Sequence, residues 1–318
     1  MPACTSINFH PNGEILASGS TDNTIKLWDV ENENVTATLK GHNQNVTSLE
    51  FHPNGDILAS GSADTTITLW DVENEQSKLT LKQHEEPITS LDFHSNGKLL
   101  ASGSADGTIN LWDGNMGYHI DTLKSPNTVN HIEFHPNEEV LVSVSANNII
   151  LWKLNRQEPL ETLNHSNEQL TTVSFSPNGQ ILASGSENGT IQLWNVENRE
   201  KIDTLGKHNY KITSLTFSSN GNRLASVDDL GTIHIWNVNK KEKLATISDY
   251  DSLVRSLKFN PDNENRLAFT QKDAIKIWNV TNLDFLLKQN CQLVDHYLEH
   301  NPTFEEEHRD LCKDISNN

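Results

Sequence analysis

Two sets of residues in this sequence have the types that nucleophilic catalysis uses. They share one spacing and consist of His42, Ser60 and Asp64, and of His84, Ser102 and Asp106. Such a trio can activate a serine in a hydrolase, but a catalytic triad occurs once, in an exposed cleft with an oxyanion hole. Repetition of the trio, each time shortly before a tryptophan, indicates a structural hydrogen-bond network. We therefore predict that the chain is not an enzyme.

The 14 histidines raise the question of a metal site. One group lies near predicted innermost strands: His42, His84, His131, His165 and His208. A second group precedes predicted exposed turns, one in each unit: His10, His52, His94 and His135. Because residues one repeat apart are not expected to converge on a single ion, we predict neither a metal nor a cofactor.

The tryptophans reveal a repeat. All seven stand 42 residues apart, except for one interval of 40: Trp28, Trp70, Trp112, Trp152, Trp194, Trp236 and Trp278. Each ends a similar pattern, such as ILASGSADTTITLWDV at residues 57–72. A fixed period of this length is typical of repeat architectures such as propellers.

Each unit divides into four short strands separated by turn residues. In the unit that covers residues 46–82, strands are predicted at 46–51, 57–61, 66–72 and 78–82. The turn HPNG after the first strand combines a proline with an Asn-Gly pair that tolerates positive φ. The hydrophobic period is two throughout. These features predict an all-β fold, a seven-bladed β-propeller of four-stranded antiparallel blades.

The stretch GHNQNVTSLEFHPNGDILASGSADTTITLWDV at residues 41–72 resembles a WD repeat of the β-transducin-like propellers, and the likeness recurs over residues 4–280. The resemblance implies that a His, a Ser, an Asp and a Trp form one hydrogen-bonded set inside each blade. It implies two complete sets: His42, Ser60, Asp64 and Trp70 in the second blade, and His84, Ser102, Asp106 and Trp112 in the third. We expect these two blades to be the most rigid.

The other blades depart from the family pattern. The fifth offers His165, Ser184, Asn188 and Trp194, and the sixth has His208, Ser226 and Trp236 but Leu230 at the place of the Asp. The fourth has Pro126 in the His region and a turn shortened to residues 146–148, and the seventh has Phe269 in the Ser position and Lys272 near the Asp position. We expect the fourth and seventh blades to be softer.

Composition limits the partners. The 318 residues include 43 acidic and 24 basic side chains, a net charge of -19, which disfavours a nucleic-acid partner. Cys4, Cys291 and Cys312 form no CxxC pair, which indicates a reducing compartment. Neither an apolar leader nor a run of membrane-spanning length is seen, so we predict a cytoplasmic protein without a membrane partner.

Recognition is expected on the loops of one propeller face. The resemblance places the following residues there: Asn43, Gln44, Glu85, Glu86, Asn167, Glu168, Glu187, Tyr210, Lys211, Asp229, Leu230 and Tyr250. Tyr210, Leu230 and Tyr250 differ from the small or charged residues of neighbouring units, and exposed aromatic residues often anchor protein partners. Ordinary loop drift explains them equally well. We predict binding of proteins and no small-molecule substrate.

The chain after Trp278 follows a different pattern. Apolar steps of three and four predict a helix at about residues 282–301, and a capping box at 303–306 opens a shorter one. We divide the chain into a propeller at 1–281 and a helical extension at 282–318. The tail resembles the end of bacterial, particularly cyanobacterial, multidomain WD-repeat signalling proteins, in which the propeller follows a nucleotide-binding module.

The two ends raise the question of how the ring closes. If residues 282–301 are helical, they supply no outermost strand to the seventh blade, and the first blade begins just after the place of its Gly-His. Three explanations remain open. The chain is a C-terminal piece of a longer protein, or the helix covers the open edge of the seventh blade. Alternatively, residues 283–288 form the missing strand and are not helical. In each case we expect the closure between the seventh and first blades to be the weakest.

The repeated residues describe a scaffold, whereas the variable ones describe a surface. We therefore predict a non-catalytic interaction scaffold or sensor that presents a propeller face to other proteins, within a larger signalling protein if the tail resemblance holds. Two alternatives remain at this point: a hydrolase-type enzyme that uses the central opening, and a truncated relic without a partner.

Overall fold

A computed structural model describes residues 3–154, 158–164, 168–247, 254–271 and 274–280, which form β-strands and no helix. The first three blades contain β1 (Cys4–Phe9), β2 (Ile15–Ser20), β3 (Thr24–Asp29), β4 (Asn34–Lys40), β5 (Val46–Phe51), β6 (Ile57–Ser62), β7 (Thr66–Asp71), β8 (Gln76–Lys82), β9 (Ile88–Phe93), β10 (Leu99–Ser104), β11 (Thr108–Asp113) and β12 (His119–Lys124).

The remaining blades continue in chain order. They contain β13 (His131–Phe134), β14 (Val140–Ser145), β15 (Asn148–Lys153), β16 (Pro159–Asn164), β17 (Leu170–Phe175), β18 (Ile181–Ser186), β19 (Thr190–Asn195), β20 (Lys201–Lys207), β21 (Ile212–Phe217), β22 (Arg223–Asp228), β23 (Ile233–Asn237), β24 (Glu242–Ile247), β25 (Leu257–Phe259), β26 (Arg266–Gln271) and β27 (Ala274–Asn279).

The strands form seven antiparallel sheets, and in each of them consecutive strands are neighbours. Six sheets have four strands, and the seventh has β25, β26 and β27 among the described residues. The predicted seven-bladed propeller is confirmed. The predicted boundaries of the second blade are close, because β5 matches the prediction, β6 extends one residue further and β8 begins two residues earlier. The predicted helical extension at 282–318 lies outside the described residues.

The turn after the innermost strand requires glycine for a physical reason. Gly55 has a φ of +86°, and a Cβ atom added there would lie 2.0 Å from Nε2 of His10 on the preceding blade. A larger residue would therefore suffer both backbone strain and a clash between blades. This recurring HPNG turn fixes how closely adjacent blades pack.

The hydrophobic core lies between blades. Ile25 and Leu27 of the first blade pack with Leu49 and Phe51 of the second in one buried cluster, and similar clusters follow around the ring. Such packing buries both faces of the inner strands, which one blade cannot do alone.

The last cluster joins the seventh blade to the first. Ile7 and Phe9 pack with Ala268, and Trp28 and Ile275 are only partly buried against them. Five tryptophans, in contrast, are buried: Trp70, Trp112, Trp152, Trp194 and Trp236. The outer part of this junction is therefore more open than the others, and its weakness in solution stays a prediction.

Candidate functional site

The second blade contains the complete predicted set. Nδ1 of His42 lies 3.2 Å from Oδ2 of Asp64, and Nε2 of His42 lies 2.7 Å from Oγ of Ser60. The indole N–H of Trp70 donates to the same Ser60 oxygen at 2.7 Å. Asp64 also accepts a hydrogen bond from the backbone N–H of Asn43 at 2.7 Å. The network therefore joins the loop before β5 to β6, the next turn and β7.

The third blade repeats this geometry. His84 lies 3.0 Å from Asp106 and 2.7 Å from Ser102, and Trp112 donates to Ser102 at 2.8 Å. Asp106 accepts from the backbone N–H of Glu85 at 3.0 Å. Both complete sets predicted from the sequence thus have the expected contacts.

The sixth blade corrects a prediction. Leu230 does not leave the set without its acid, because Asp228, the last residue of β22, lies 3.1 Å from Nδ1 of His208. Ser226 completes the set, at 2.6 Å from His208 and 2.8 Å from the indole nitrogen of Trp236. The carboxylate of Asp228 thus comes from the end of β22, two positions before Leu230. Its other oxygen accepts a hydrogen bond from the backbone N–H of Leu230 at 3.2 Å.

The other blades keep part of the set. In three of them the indole N–H donates to a serine on the second strand: Trp28 to Ser18 at 2.8 Å, Trp152 to Ser143 at 2.8 Å and Trp194 to Ser184 at 2.9 Å. In the seventh blade Phe269 is buried in the apolar cluster at this position. Lys272 and His165 lie outside the described residues, and the relative rigidity of the blades stays a prediction.

The burial of these sets indicates a structural role. Burial lowers the pKa of His42, His84 and His208 below its usual value, against the opposing effect of the neighbouring aspartate. The neutral imidazole can donate from Nδ1 to the carboxylate and accept the serine proton at Nε2. Ser60 has no exposed surface. A substrate cannot reach this hydroxyl, so the trio does not form a nucleophilic site in this conformation.

A second group of histidines connects blades, a function that the sequence analysis missed. His52 and His135 contact the carbonyl oxygens of Gly97 and Gly179 on the next blade, at 2.9 and 3.1 Å. Nε2 of His94 has no such partner among the described residues, and the turn of the fourth blade is HPNE instead of HPNG. The rings also pack edge-on against a phenylalanine of the next blade. These histidines precede the turns as predicted, but their rings are largely buried.

Asparagine takes this position where the ring closes. Nδ2 of Asn260 in the seventh blade donates to the carbonyl oxygen of Gly13 in the first blade at 2.9 Å. Oγ of Ser256 accepts from the backbone N–H of Ile7 at 3.3 Å. The seventh and first blades are thus joined at their inner strands.

Several predicted face residues lie together around the sixth blade. We call Glu187, Tyr210, Lys211, Asp229 and Leu230 the blade-six patch. The Lys211 ammonium lies 3.0 Å from Glu187, and the Asp229 backbone N–H donates to the Lys211 carbonyl at 2.9 Å. The side chains of Tyr210 and Leu230 are 49% and 52% exposed. The patch therefore combines two accessible apolar groups with charges of both signs.

The other predicted face residues are distributed differently. Asn43, Glu85 and Glu86 are exposed on the loops before β5 and β9, in the second and third blades, where their backbones support the hydrogen-bonded sets. Asn167 and Tyr250 lie outside the described residues.

An exposed apolar group on the outer rim has no counterpart in the prediction. Met116, Tyr118 and Ile120, on the edge of the third blade, are 57%, 67% and 53% exposed. Leu79 on β8 is 40% exposed and lies close to Gly117. The alternation of Tyr118 and Ile120 was visible in the sequence, but which side of an outermost strand faces solvent depends on the register.

The inner strands line a polar central channel. Several of these strands end in a phenylalanine, and the residue directly before it is charged in four blades. It is a carboxylate in three consecutive blades, Glu50, Asp92 and Glu133, and a lysine, Lys258, in the seventh. Glu50 accepts from Nδ2 of Asn8 at 2.7 Å. Asp92 and Glu133 accept from the backbone N–H groups of the phenylalanines of the next blades, Phe134 and Phe175. These carboxylates therefore link neighbouring blades while they face the axis.

Burial perturbs the ionisation of the channel groups. It raises the pKa of Glu50 and of Glu133 to about 7, although Lys258 lowers both. The pKa of Asp92 is raised by burial and by its two acidic neighbours. Burial and Lys258 lower the pKa of His131 to about 4, so this imidazole is neutral at pH 7. The sequence shows the acids, but only the closed ring places them together.

The described part of the chain contains neither a cluster of metal-ligating side chains nor a helix suited to cross a membrane. No group of three or more His, Cys, Asp or Glu side chains there could hold a metal ion. Nor does this part contain a helix with the length and apolar character that a membrane crossing needs. Burial raises the pKa of the Cys4 thiol to about 12, which makes it a poor nucleophile.

The ring of seven sheets, with its recurring His, Ser, Asp and Trp contacts, defines a WD-repeat-like β-propeller. A family model described as the IFT122 first beta-propeller matches residues 67–242, more than half of the chain, and a second, the IFT140 first beta-propeller, matches residues 1–121. The chain belongs to the IFT122 first beta-propeller family.

Comparison with characterised proteins gives short matches to other members of this class. The chain is 42% identical over 41 residues to the general transcriptional corepressor TUP1 of Saccharomyces cerevisiae, 13% of this chain and 6% of that protein. It is 56% identical over 45 residues to the nuclear distribution protein nudF of Aspergillus terreus, 14% of this chain and 10% of that protein. It is 35% identical over 75 residues to the human serine-threonine kinase receptor-associated protein, 23% of this chain and 21% of that protein. These matches therefore cover small parts of the relatives.

Proposed function

We propose that the chain is a non-catalytic protein-interaction module and that the blade-six patch is its recognition surface. The observation that carries this proposal is the exposure of Tyr210 and Leu230 beside the Lys211–Glu187 pair, on a blade whose hydrogen-bonded set is complete. We expect a blade with a complete set to be rigid and to present these groups with little ordering cost, and aromatic anchors carry much of the energy at protein interfaces.

The names of the relatives are consistent with this role. One is called a transcriptional corepressor and another a kinase receptor-associated protein. The matched segments cover small parts of these proteins, so their partners are not transferred to this chain. The partner fitted by the blade-six patch presents an apolar group flanked by charged or polar side chains.

The tail and the composition support further proposals. We propose a cytoplasmic location and, from the resemblance of residues 282–318 to bacterial multidomain proteins, a role in a larger signalling protein. Sequencing the gene upstream of the Met1 codon tests the second point. A preceding in-frame strand-like segment with a Gly-His would support it, and an unrelated sequence or an immediate stop codon would contradict it.

Replacement of Tyr210 and Leu230 by alanine together is expected to weaken partner binding by at least about tenfold, because both exposed anchors are removed. The measurement is comparative capture from lysate of the source cell with quantitative mass spectrometry, followed by titration of the captured protein. Folding of the variant is checked by circular dichroism.

The outer rim offers a matched control. The pair Tyr118→Ala and Ile120→Ala also removes one exposed aromatic and one exposed aliphatic side chain, but at the edge of the third blade. This variant is expected to bind the partner like the unaltered protein. Loss of binding in the rim variant alone would place the recognition surface on the rim and reject the blade-six patch.

A further inference from the structure

The central channel contains a cavity that the proposed interaction does not use. Its volume is about 200 Å³, several times the volume of one water molecule, about 30 Å³. Residues from the inner region of all seven blades line it, and most of them are serine, threonine or charged residues. A cavity with this lining favours a small polar ligand over an apolar one.

The charges in this cavity are separated. Glu50 and Glu133 line it from the second and fourth blades, with Asp92 on the blade between them, and Arg255 and Lys258 line it from the seventh. In a ring of seven, the seventh blade stands across the axis from the third and fourth. Above about pH 7, where Glu50 and Glu133 are ionised, the channel is therefore negative on one side and positive on the other.

These opposite charges do not pair directly. Lys258 and the three carboxylates interact electrostatically, but among the described residues no ion pair within 4.0 Å joins them. Each carboxylate has a hydrogen-bond donor on a neighbouring blade, but a charge that is largely removed from water is stabilised further by a partner of opposite sign. A molecule with one positive and one negative group can pair with both sets of charges across the gap.

Unused polar atoms in the same cavity are a second, independent observation. Among the described residues, Oγ of Ser6, a residue that is 8% exposed, has no hydrogen-bond partner, and neither has Nδ1 of His131 or Oγ1 of Thr47. In contrast, the hydroxyl oxygens of Ser48 and Ser90 accept backbone N–H groups of the next blade at 3.0 and 3.3 Å. Buried polar atoms are normally satisfied, so these three atoms are available to a ligand.

We propose that the channel binds a small zwitterion of the α-amino-acid class, with its ammonium group towards Glu50 and Glu133 and its carboxylate towards Lys258 and Arg255. A simple amine would leave Lys258 and Arg255 without an opposite charge from the ligand. A simple carboxylate would leave Glu50 and Glu133 without one. The inference does not depend on the blade-six patch, and the two can fail separately.

The test uses L-alanine and two molecules that each keep one of its charged groups: ethylamine, which lacks the carboxylate, and propionate, which lacks the amine. In isothermal titration calorimetry with the full chain, alanine is expected to bind at least about tenfold more tightly than either of the others. Equal binding of ethylamine would indicate a simple cation site and overturn the proposal. Absence of alanine binding at millimolar concentrations would also overturn it.

Substitutions on opposite sides of the channel give a signature that a merely structural effect does not give. Lys258→Met is expected to weaken alanine by about tenfold and leave ethylamine at least as tightly bound, because the carboxylate contact is lost. Glu133→Gln should weaken alanine similarly and favour propionate over ethylamine. Glu73→Gln, on an exposed turn, serves as the control and should bind all three probes like the unaltered protein. If folded variants lose alanine without these opposite preferences, the proposal is wrong.

Discussion

Replacement of Asp228 by alanine is expected to lower the free energy of unfolding by about 3 kcal/mol, because buried donors lose their acceptor. The carboxylate accepts from His208 and from the backbone N–H groups of Leu230 and Thr232. Bulk water has little access to these donors, since the Asp228 side chain is only 2% exposed. Denaturation by guanidinium chloride, followed by tryptophan fluorescence and circular dichroism, measures the loss.

Two comparisons make this prediction specific. Asp64→Ala and Asp106→Ala should each cost less, because these carboxylates are 7% and 12% exposed and water can reach the donors that they leave. Asp229→Ala is the neighbouring control, since its side chain does not belong to a set, and should change stability by less than about 1 kcal/mol. If Asp229→Ala costs as much as Asp228→Ala, the assignment of Asp228 to the set is wrong.

Asp228 also shows where prediction from the sequence ended. The repeat of tryptophans and turns predicted the number of blades, because each unit has one indole and one HPNG-like turn at nearly constant spacing. The same alignment placed Leu230 at the acidic position. A carboxylate two residues earlier can reach the same imidazole, because it extends from the end of β22 towards His208. Such replacement depends on geometry that spacing alone does not describe.

The charged central channel could not be predicted from the sequence, for a different reason. Period-two patterning identified the inner strands, and Glu50, Asp92 and Glu133 occupy equivalent positions on them. Whether these side chains face solvent or one another depends on closure of a ring from units that are far apart in the chain. The same is true of His52 and His135, whose acceptors lie on the next blade. Most contacts inside one unit were predictable, with the His208–Asp228 contact as the exception, whereas contacts between units needed the fold.

Replacement of both Glu50 and Glu133 by glutamine is expected to stabilise the protein by about 2 kcal/mol at about pH 8 and to have little effect at about pH 5. The pKa of each carboxyl is raised from 4.5 to about 7 in the folded chain. A raised pKa favours the protonated form in the folded state, so stability is complete below the unfolded value and declines as the pH rises through about 7. Glutamine is neutral at both pH values and can still accept from Asn8 and from the Phe175 backbone. The measurement is the guanidinium midpoint as a function of pH.

The other groups of the channel set the size of this effect. Lys258 loses two favourable partners in the variant, which opposes the gain, whereas Asp92 is relieved of both acidic neighbours, which adds to it. His131 is neutral over this pH range because its pKa is about 4. The histidines of the hydrogen-bonded sets titrate with the opposite sign, since their lowered pKa values make stability decline towards acid. The double variant Glu73→Gln, Glu75→Gln changes the same net charge on an exposed turn and should show no pH-dependent gain. If it gains as much at alkaline pH, the effect comes from the overall charge of -19 and not from the channel.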